Sequence, residues 1–316
     1  MIVILNTLNI PISLRIARQL AADYGERGVF VERHIAADAG FKKACGAVCQ
    51  RIQAEKHAAD VNLVLTGTFS SPQMLRRLRM NAGRYDDEVY AFRLPIRSAL
   101  CAHLAAESGS ETFRENYSLW LRTLDIGAGS GDMGYEIPIT SLDPADTAQR
   151  IRDDIHAPVE LVEYRDEWPA MFASEKARII KALPELNLVV EQIGSTAIPG
   201  MPAKPILDIL ITIDHLNNAV ACIQPLRQLG YAFIDYPQNI DRRFFRKGTP
   251  RSHHIHIVTH DSPSAQAYLR FRDALRTDAA LRQEYLDLKR DSMQRFKHRR
   301  ALYGERKGAL IRKALA

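Results

Sequence analysis

Residues 188–214 read Leu188-Val189-Val190-Glu191-Gln192-Ile193-Gly194-Ser195-Thr196-Ala197-Ile198-Pro199-Gly200-Met201-Pro202-Ala203-Lys204-Pro205-Ile206-Leu207-Asp208-Ile209-Leu210-Ile211-Thr212-Ile213-Asp214. The apolar runs Leu188–Ile193 and Pro205–Ile213 predict two strands, joined through a glycine-serine turn. Asp208 stands in the middle of the second run. A Gly-Ser turn lets backbone N–H groups approach a triphosphate with no Cβ in the way. A carboxylate on the adjacent strand can hold the Mg²⁺ that bridges such phosphates.

Working outward, Val159–Val162 predicts a short strand, Pro169–Ala182 a helix and Ala219–Leu229 another. Phe244-Phe245-Arg246 and His254–Val258 read as an antiparallel strand pair, and the last fifty residues as basic helices. This half is α+β: a small mixed sheet with helices packed on it. Arg242, Arg243, Arg246, Lys247 and Arg251 fall within ten residues, followed by His253, His254 and His256. On a strand His254 and His256 share one face and His253 takes the other. Facing the Gly194-Ser195 turn, this cluster makes a pocket for several phosphate charges; the structural alternative is a solvated hairpin with a basic tip. Neither helix-turn-helix nor zinc-finger spacing is present, which argues against duplex DNA and leaves RNA open.

Further runs extend the pattern: Val162-Glu163-Tyr164-Arg165-Asp166-Glu167-Trp168-Pro169, Ala203-Lys204-Pro205-Ile206-Leu207-Asp208-Ile209, Arg242-Arg243-Phe244-Phe245-Arg246-Lys247-Gly248, Arg251-Ser252-His253-His254-Ile255-His256 and Phe271-Arg272-Asp273. Together with Ile193–Gly200 they resemble the GrpB family over residues 159–315. The resemblance implies a nucleotidyltransferase-like fold, and the family itself has no settled reaction. The motif set itself points to a nucleoside triphosphate as substrate and Mg²⁺ as cofactor, with Gly194, Ser195, Thr196, Lys204, Arg243, Arg246, Lys247 and Arg251 expected on phosphates, Asp208 on the metal and His254 or His256 as ligand or base. The superfamily pattern has a second carboxylate two residues after the first, where this chain has Leu210. Asp214 lies six strand residues from Asp208, ~20 Å away, and cannot replace it. A neighbouring strand that would carry a third carboxylate offers His254 and His256. One Mg²⁺ or none are both open.

The first half alternates strand and helix: Ile2–Leu5, a helix over Ile12–Tyr24, Val29–Val31, a helix over Phe41–His57, Val61–Leu65, a helix opening at Ser71-Pro72, Val89–Leu94 and a helix over Ile96–Ala106. That spacing implies a parallel sheet with right-handed crossovers. The arrangement is similar to the P-loop kinases of small metabolites. Laid on Gly-x-x-x-x-Gly-Lys-Ser/Thr, however, the first loop has Asn6 and Pro11 at the glycines and Ile12 at the lysine, and only Ser13 fits. This half therefore reads as a degenerate kinase-like domain of residues 1–155 ahead of a GrpB-type domain of 156–316. The order is similar to that of the dephospho-coenzyme A kinases that carry a GrpB domain behind the kinase. Asp125-Ile126-Gly127-Ala128-Gly129-Ser130-Gly131 is similar to the glycine motif of methyltransferases. It runs into Tyr135–Thr140, broken by Pro138, with too little chain left for a methyltransferase sheet, and reads as a loop.

The chain has 316 residues, 46% of them hydrophobic and 25% charged, which excludes a disordered or collagen-like protein. Residues 1–155 carry 18 basic against 19 acidic side chains, leaving 25 against 18 for the second half, so the net charge of +6 belongs to that half. An anionic partner for it follows: a nucleotide or another phosphorylated small molecule. The four cysteines, Cys45, Cys49, Cys101 and Cys222, are too scattered for a disulfide framework. Cys45 and Cys49, one helical turn apart, lack a second ligand pair for zinc. No apolar run reaches the ~20 residues of a membrane span and the first residues do not form a signal peptide, which points to the cytoplasm. The sequence thus predicts Mg²⁺-dependent nucleotidyl transfer to an unidentified acceptor. The alternatives are an anion-binding folding or assembly accessory, which brings in a protein partner, and a protein related to dephospho-CoA kinase.

Overall fold

The computed structural model describes residues 2–6, 11–25, 28–31, 62–67, 89–94, 135–158, 160–235 and 239–296, with Arg76, Ile96, Leu100, Leu104, Leu310, Ile311 and Ala314. The expected helices over 41–57 and from Ser71, the glycine tract 125–131, the loop 7–10 and the pair Cys45 and Cys49 lie outside these residues. The protein is α/β and divides into two compact units, residues 1–155 with 232–238 and residues 156–231 with 239–316.

In the first unit β1 (Ile2–Asn6), β2 (Gly28–Val31), β3 (Asn62–Gly67), β4 (Val89–Arg93) and β5 (Tyr135–Glu136) form one sheet in the order β2-β3-β1-β4-β5. Every pairing is parallel, with Ile2 opposite both Leu63 and Val89. Strands of such a sheet are covered on both faces and so read as unbroken apolar runs. Helix α1 (Pro11–Ala22) puts Ile12, Ile16 and Leu20 into the core beside Val3, Leu5 and Phe92. Ser13 is fully buried. Helix α2 (Pro144–His156) starts at Asp143, whose Oδ1 accepts from the Ala145 amide at 2.9 Å.

The second unit begins with α3 (Trp168–Ala182), then β6 (Leu188–Ile193), a 3-10 turn over Ser195–Ala197 and β7 (Leu207–Ile213). There follow α4 (Ala219–Gln228), Tyr231, which starts β8 (Tyr231–Ile234), then β9 (Arg243–Lys247), β10 (His253–Thr259), α5 (Pro263–Thr277) and α6 (Ala279–Phe296). The sheet order is β6-β7-β10-β9-β8. It is mixed: β10 runs parallel to β7 and antiparallel to β9, and β6 is antiparallel to β7. Of the strand expected at Val159–Val162, the described residues 160–162 form one bridge, Val162 to Ala203, and β8 has no counterpart in the sequence reading.

Strand alternation sorts the side chains onto two faces. Ile193, Leu210 and Val258 pack with Ala265, Tyr268 and Leu269, which puts α5 over the Asp208 face. Leu207, of opposite parity, packs with Trp168 and Ala203, which puts α3 on the other face. Helix α5 is capped by Ser262, whose hydroxyl accepts from the Ala265 amide, and α6 by Asp278, which accepts from Ala280 and Leu281. Among the described residues no helix is long and apolar enough to cross a membrane.

Candidate functional site

Antiparallel pairing sets Ile193 opposite Asp208, so the next residue, Gly194, lies against the carboxylate. Gly194 has φ 71° and ψ −172°, and a Cβ there would stand 2.4 Å from Asp208 Oδ2. Both the backbone conformation and the space require glycine. Ser195 opens the 3-10 turn, closed by the Ala197 amide on Gly194 O at 3.2 Å. Thr196 turns inward instead: it is buried, its hydroxyl donates to Ile206 O and accepts from Gln192 Nε2, both at 3.4 Å. It ties the turn to the following loop and does not line the cavity described below. Lys204 sits in that loop, half-buried, outside the cavity described below.

Parallel pairing sets His254 opposite Asp208 on the same face, with Nδ1 3.1 Å from Oδ1. A carboxylate accepts hydrogen bonds, so the imidazole carries its proton on Nδ1 and leaves Nε2 as the basic nitrogen. That nitrogen is buried and has no hydrogen-bond partner among the described residues. Burial lowers the His254 pKa, the Asp208 bond and charge oppose this, and the charges of Arg251 and Arg246 lower it further. Arg246, itself buried, faces His254 across β9.

His256 lies one step along the same face. Burial, with the Arg242 charge, brings it down to about 3, so it is neutral at physiological pH. Its Nδ1 is 3.3 Å from Arg242 Nη1 and 3.4 Å from the Tyr268 hydroxyl, which accepts from Arg242 at 2.7 Å. Phe244 packs between the imidazoles, 5.1 Å from His254 and 5.2 Å from His256.

These groups open onto a cavity of about 500 Å³. Gly194, Ser195, Asp208 and His254 make its polar floor, and Tyr268, Phe271, Leu275 and Tyr285 from α5 and α6 its apolar wall. Two arginines fasten α5 over the turn. Arg272 donates to Glu191 Oε2 at 2.8 Å and Gln192 O at 3.1 Å, and Arg276 to Ala197 O at 3.0 and 3.1 Å.

The structure thus brings Gly194, Ser195, Asp208, His254 and His256 onto one cavity, with Arg246 and Arg251 beside His254. It separates two residues from that group. Lys247 points to the opposite face, where its ammonium meets Glu175 at 2.8 Å. Arg243 points there too, and its guanidinium binds the carbonyls of Asn239, Ile240 and Arg242. Consecutive strand residues cannot all face one pocket. Tyr268 and Arg272 join the wall without having been singled out. Arg272 lay in the Phe271-Arg272-Asp273 run, whereas nothing in the sequence marks Tyr268.

The donor set decides which metal chemistry fits. Leu210 is packed in hydrocarbon, Glu191 is ion-paired with Arg272, and Asp214 lies past the end of β7 bonded to Asn187. Among the described residues no three His, Cys, Asp or Glu gather as metal ligands. Asp208 would hold a single Mg²⁺, and among the described residues no second carboxylate stands beside it for a two-metal cluster.

Known proteins place the chain. It is 36% identical over 164 residues to the UPF0157 protein PA4798 of Pseudomonas aeruginosa, a match covering 50% of this chain and 66% of that protein. It is 28% identical over 220 residues to the dephospho-CoA kinase of Mycolicibacterium paratuberculosis, covering 61% of this chain and 54% of the kinase, and this match reaches into the N-terminal part. The crystal structure of conserved protein GrpB from Enterococcus faecalis aligns with a TM-score of 0.43 and 28% identity, over 50% of this chain and all of that one. The family model described as GrpB protein matches residues 158–316, about half of the chain, and the chain belongs to the GrpB family.

Proposed function

We propose that the second unit binds a nucleoside triphosphate with one Mg²⁺ and transfers its nucleotidyl group to an acceptor, the bond between the α- and β-phosphates breaking and pyrophosphate leaving. The observation that carries this is Asp208, gripped between the Gly194 turn and His254 on the floor of a ligand-sized cavity. The amides of the Gly194-Ser195 turn receive phosphate oxygens, and Asp208 would hold the ion, which neutralises phosphate charge. Arg246 and Arg251 add positive charge next to His254. Of the two histidines, His254 is placed to take the acceptor's proton, since its Nε2 is unbonded; the Nδ1 of His256 is engaged by Arg242 and Tyr268. The first unit, with no lysine in its first loop, acts as a kinase-like partner domain without ATP chemistry.

Calorimetry of the full chain with ATP, CTP, GTP and UTP, each with and without Mg²⁺, tests the binding. Mass spectrometry after incubation with labelled triphosphates tests the transfer. Absence of binding to all four nucleotides, with Asp208→Asn behaving as wild type, overturns the reading. Leu210 and the Glu191–Arg272 pair favour a second one: a non-catalytic anion-binding accessory to RNA or a protein partner, which binds a phosphorylated ligand and transfers nothing.

A further inference from the structure

Behind the cavity, on the opposite face of the sheet, lies a cluster that the proposed chemistry does not use. Glu175 of α3 has a side chain only 6% exposed, yet its carboxylate collects three donors. Lys247 Nζ and the Tyr231 hydroxyl reach Oε1 at 2.8 and 2.9 Å, and Arg178 reaches Oε2 at 2.7 Å. The Lys247 ammonium also lies 5.1 Å from the centre of the Tyr231 ring. Burial by itself would raise the Glu175 carboxyl, but the bonds from Lys247 and Tyr231 and the charges of Lys247 and Arg178 bring it below its ordinary value. The carboxylate is therefore ionised and fully engaged at neutral pH.

The three donors differ in what they hold. Arg178 is on the same helix, and its exposed end adds little. Lys247 ends β9 at the neck of the turn that carries Arg251, where the Ser252 amide bonds Lys247 O at 2.9 Å. Its neighbours in the strands are the residues of the cavity: Arg246 precedes it and faces His254, and its register partner His253 precedes His254. Tyr231 starts β8. One carboxylate thus fixes β9 and the first residue of β8 from behind, on the side of β10 away from Asp208.

We infer that Glu175 is a positioning residue for the cavity: through Lys247 it sets the β9–β10 hairpin so that Arg246, Arg251 and His254 meet the ligand bound at Gly194 and Asp208. The inference rests on the reading of that cavity as a nucleotide site. Lys247 acts through the backbone it anchors, and its own charge never reaches the ligand.

Lys247→Met and the milder Tyr231→Phe, made in the full chain, test this with MgATP as probe. The expected result for Lys247→Met is an affinity lower by about tenfold, the equivalent of one charged hydrogen bond. Lys247→Arg, which keeps a donor at Glu175, restores most of it, and Tyr231→Phe gives a smaller loss in the same direction. A second readout needs no ligand: nitrogen-15 NMR of His254 shows the Nδ1–H tautomer in the wild type and a mixture in Lys247→Met. A lower melting temperature with unchanged affinity and an unchanged His254 spectrum makes Glu175 a packing group only and overturns the inference. If the wild-type chain binds no nucleotide, the nucleotide reading fails by itself, and the His254 spectrum decides the role of Glu175.

Discussion

Gly194 and Asp208 occupy each other's space: the carboxylate oxygen Oδ2 stands where a side chain on residue 194 would begin, 2.4 Å from the position of its Cβ. Gly194→Ala must move the carboxylate or unbend a backbone held at φ 71°. The expected cost is about 1–3 kcal/mol of stability, and with it the loss of nucleotide affinity. Thermal denaturation and calorimetry on the same sample read both.

Asp208→Asn keeps the shape and removes the charge. The gain in ATP affinity on adding Mg²⁺ should vanish, while affinity without Mg²⁺ stays near the wild-type value. Asp208 is the group that raises the His254 pKa, so the imidazole should titrate at a still lower pH in the variant. An NMR titration of the His254 ring follows this directly.

Stability should fall on acidification through the half-buried imidazoles of β10. His256 goes from an ordinary 6.5 to about 3 on folding, so between those values the unfolded chain binds a proton that the folded chain refuses. Its contribution is complete above pH ~6.5 and is lost progressively as the pH drops toward ~3. His254 and His253 shift in the same direction. Urea midpoints measured at several pH values across that window should decline, and His256→Gln should flatten the decline.

A carboxylate placed two residues after Asp208 should not create a second metal site. Leu210 is fully buried against Ile193, Val258 and Ala265. Leu210→Asp puts a carboxylate into hydrocarbon and is expected to destabilise the domain by about 3 kcal/mol or more. Urea denaturation gives the stability, and Mn²⁺ titration should give the same stoichiometry as the wild type.

Much of this arrangement could be read from residues 188–214 alone. The Gly-Ser turn, the polar residue in an apolar strand and the shared face of His254 and His256 each follow from local rules of two-residue alternation. Those rules fix which side chains of one strand agree with each other, but not which face meets the pocket, and this is why Arg243 and Lys247 were grouped with Arg246. Only the register of β10 between β7 and β9 separates them. Thr196 lies off the cavity for a related reason: in a 3-10 turn adjacent side chains diverge, and the one between Ser195 and Ala197 points to the interior. Tyr268 and Arg272 come from a helix more than fifty residues beyond Asp208, and no spacing rule ties a helix to the strand it covers. The short strand β8 was hidden because Tyr231–Ile234 has too few residues for a period to show.

Because β10 is inserted between β7 and β9, the two members of the hydrogen-bonded dyad, Asp208 and His254, come from strands separated by the whole stretch from Ile213 to His253. On the ribosome, the β6–β7 hairpin can emerge and close while Asp208 still lies on an open edge with unpaired amides and carbonyls. Only when residues up to Thr259 have left the tunnel does the long parallel connection close over that edge and deliver the imidazole. A nascent chain stalled before that point therefore exposes a sticky strand and has no dyad, which makes this interval the stage of synthesis at which a chaperone would matter most.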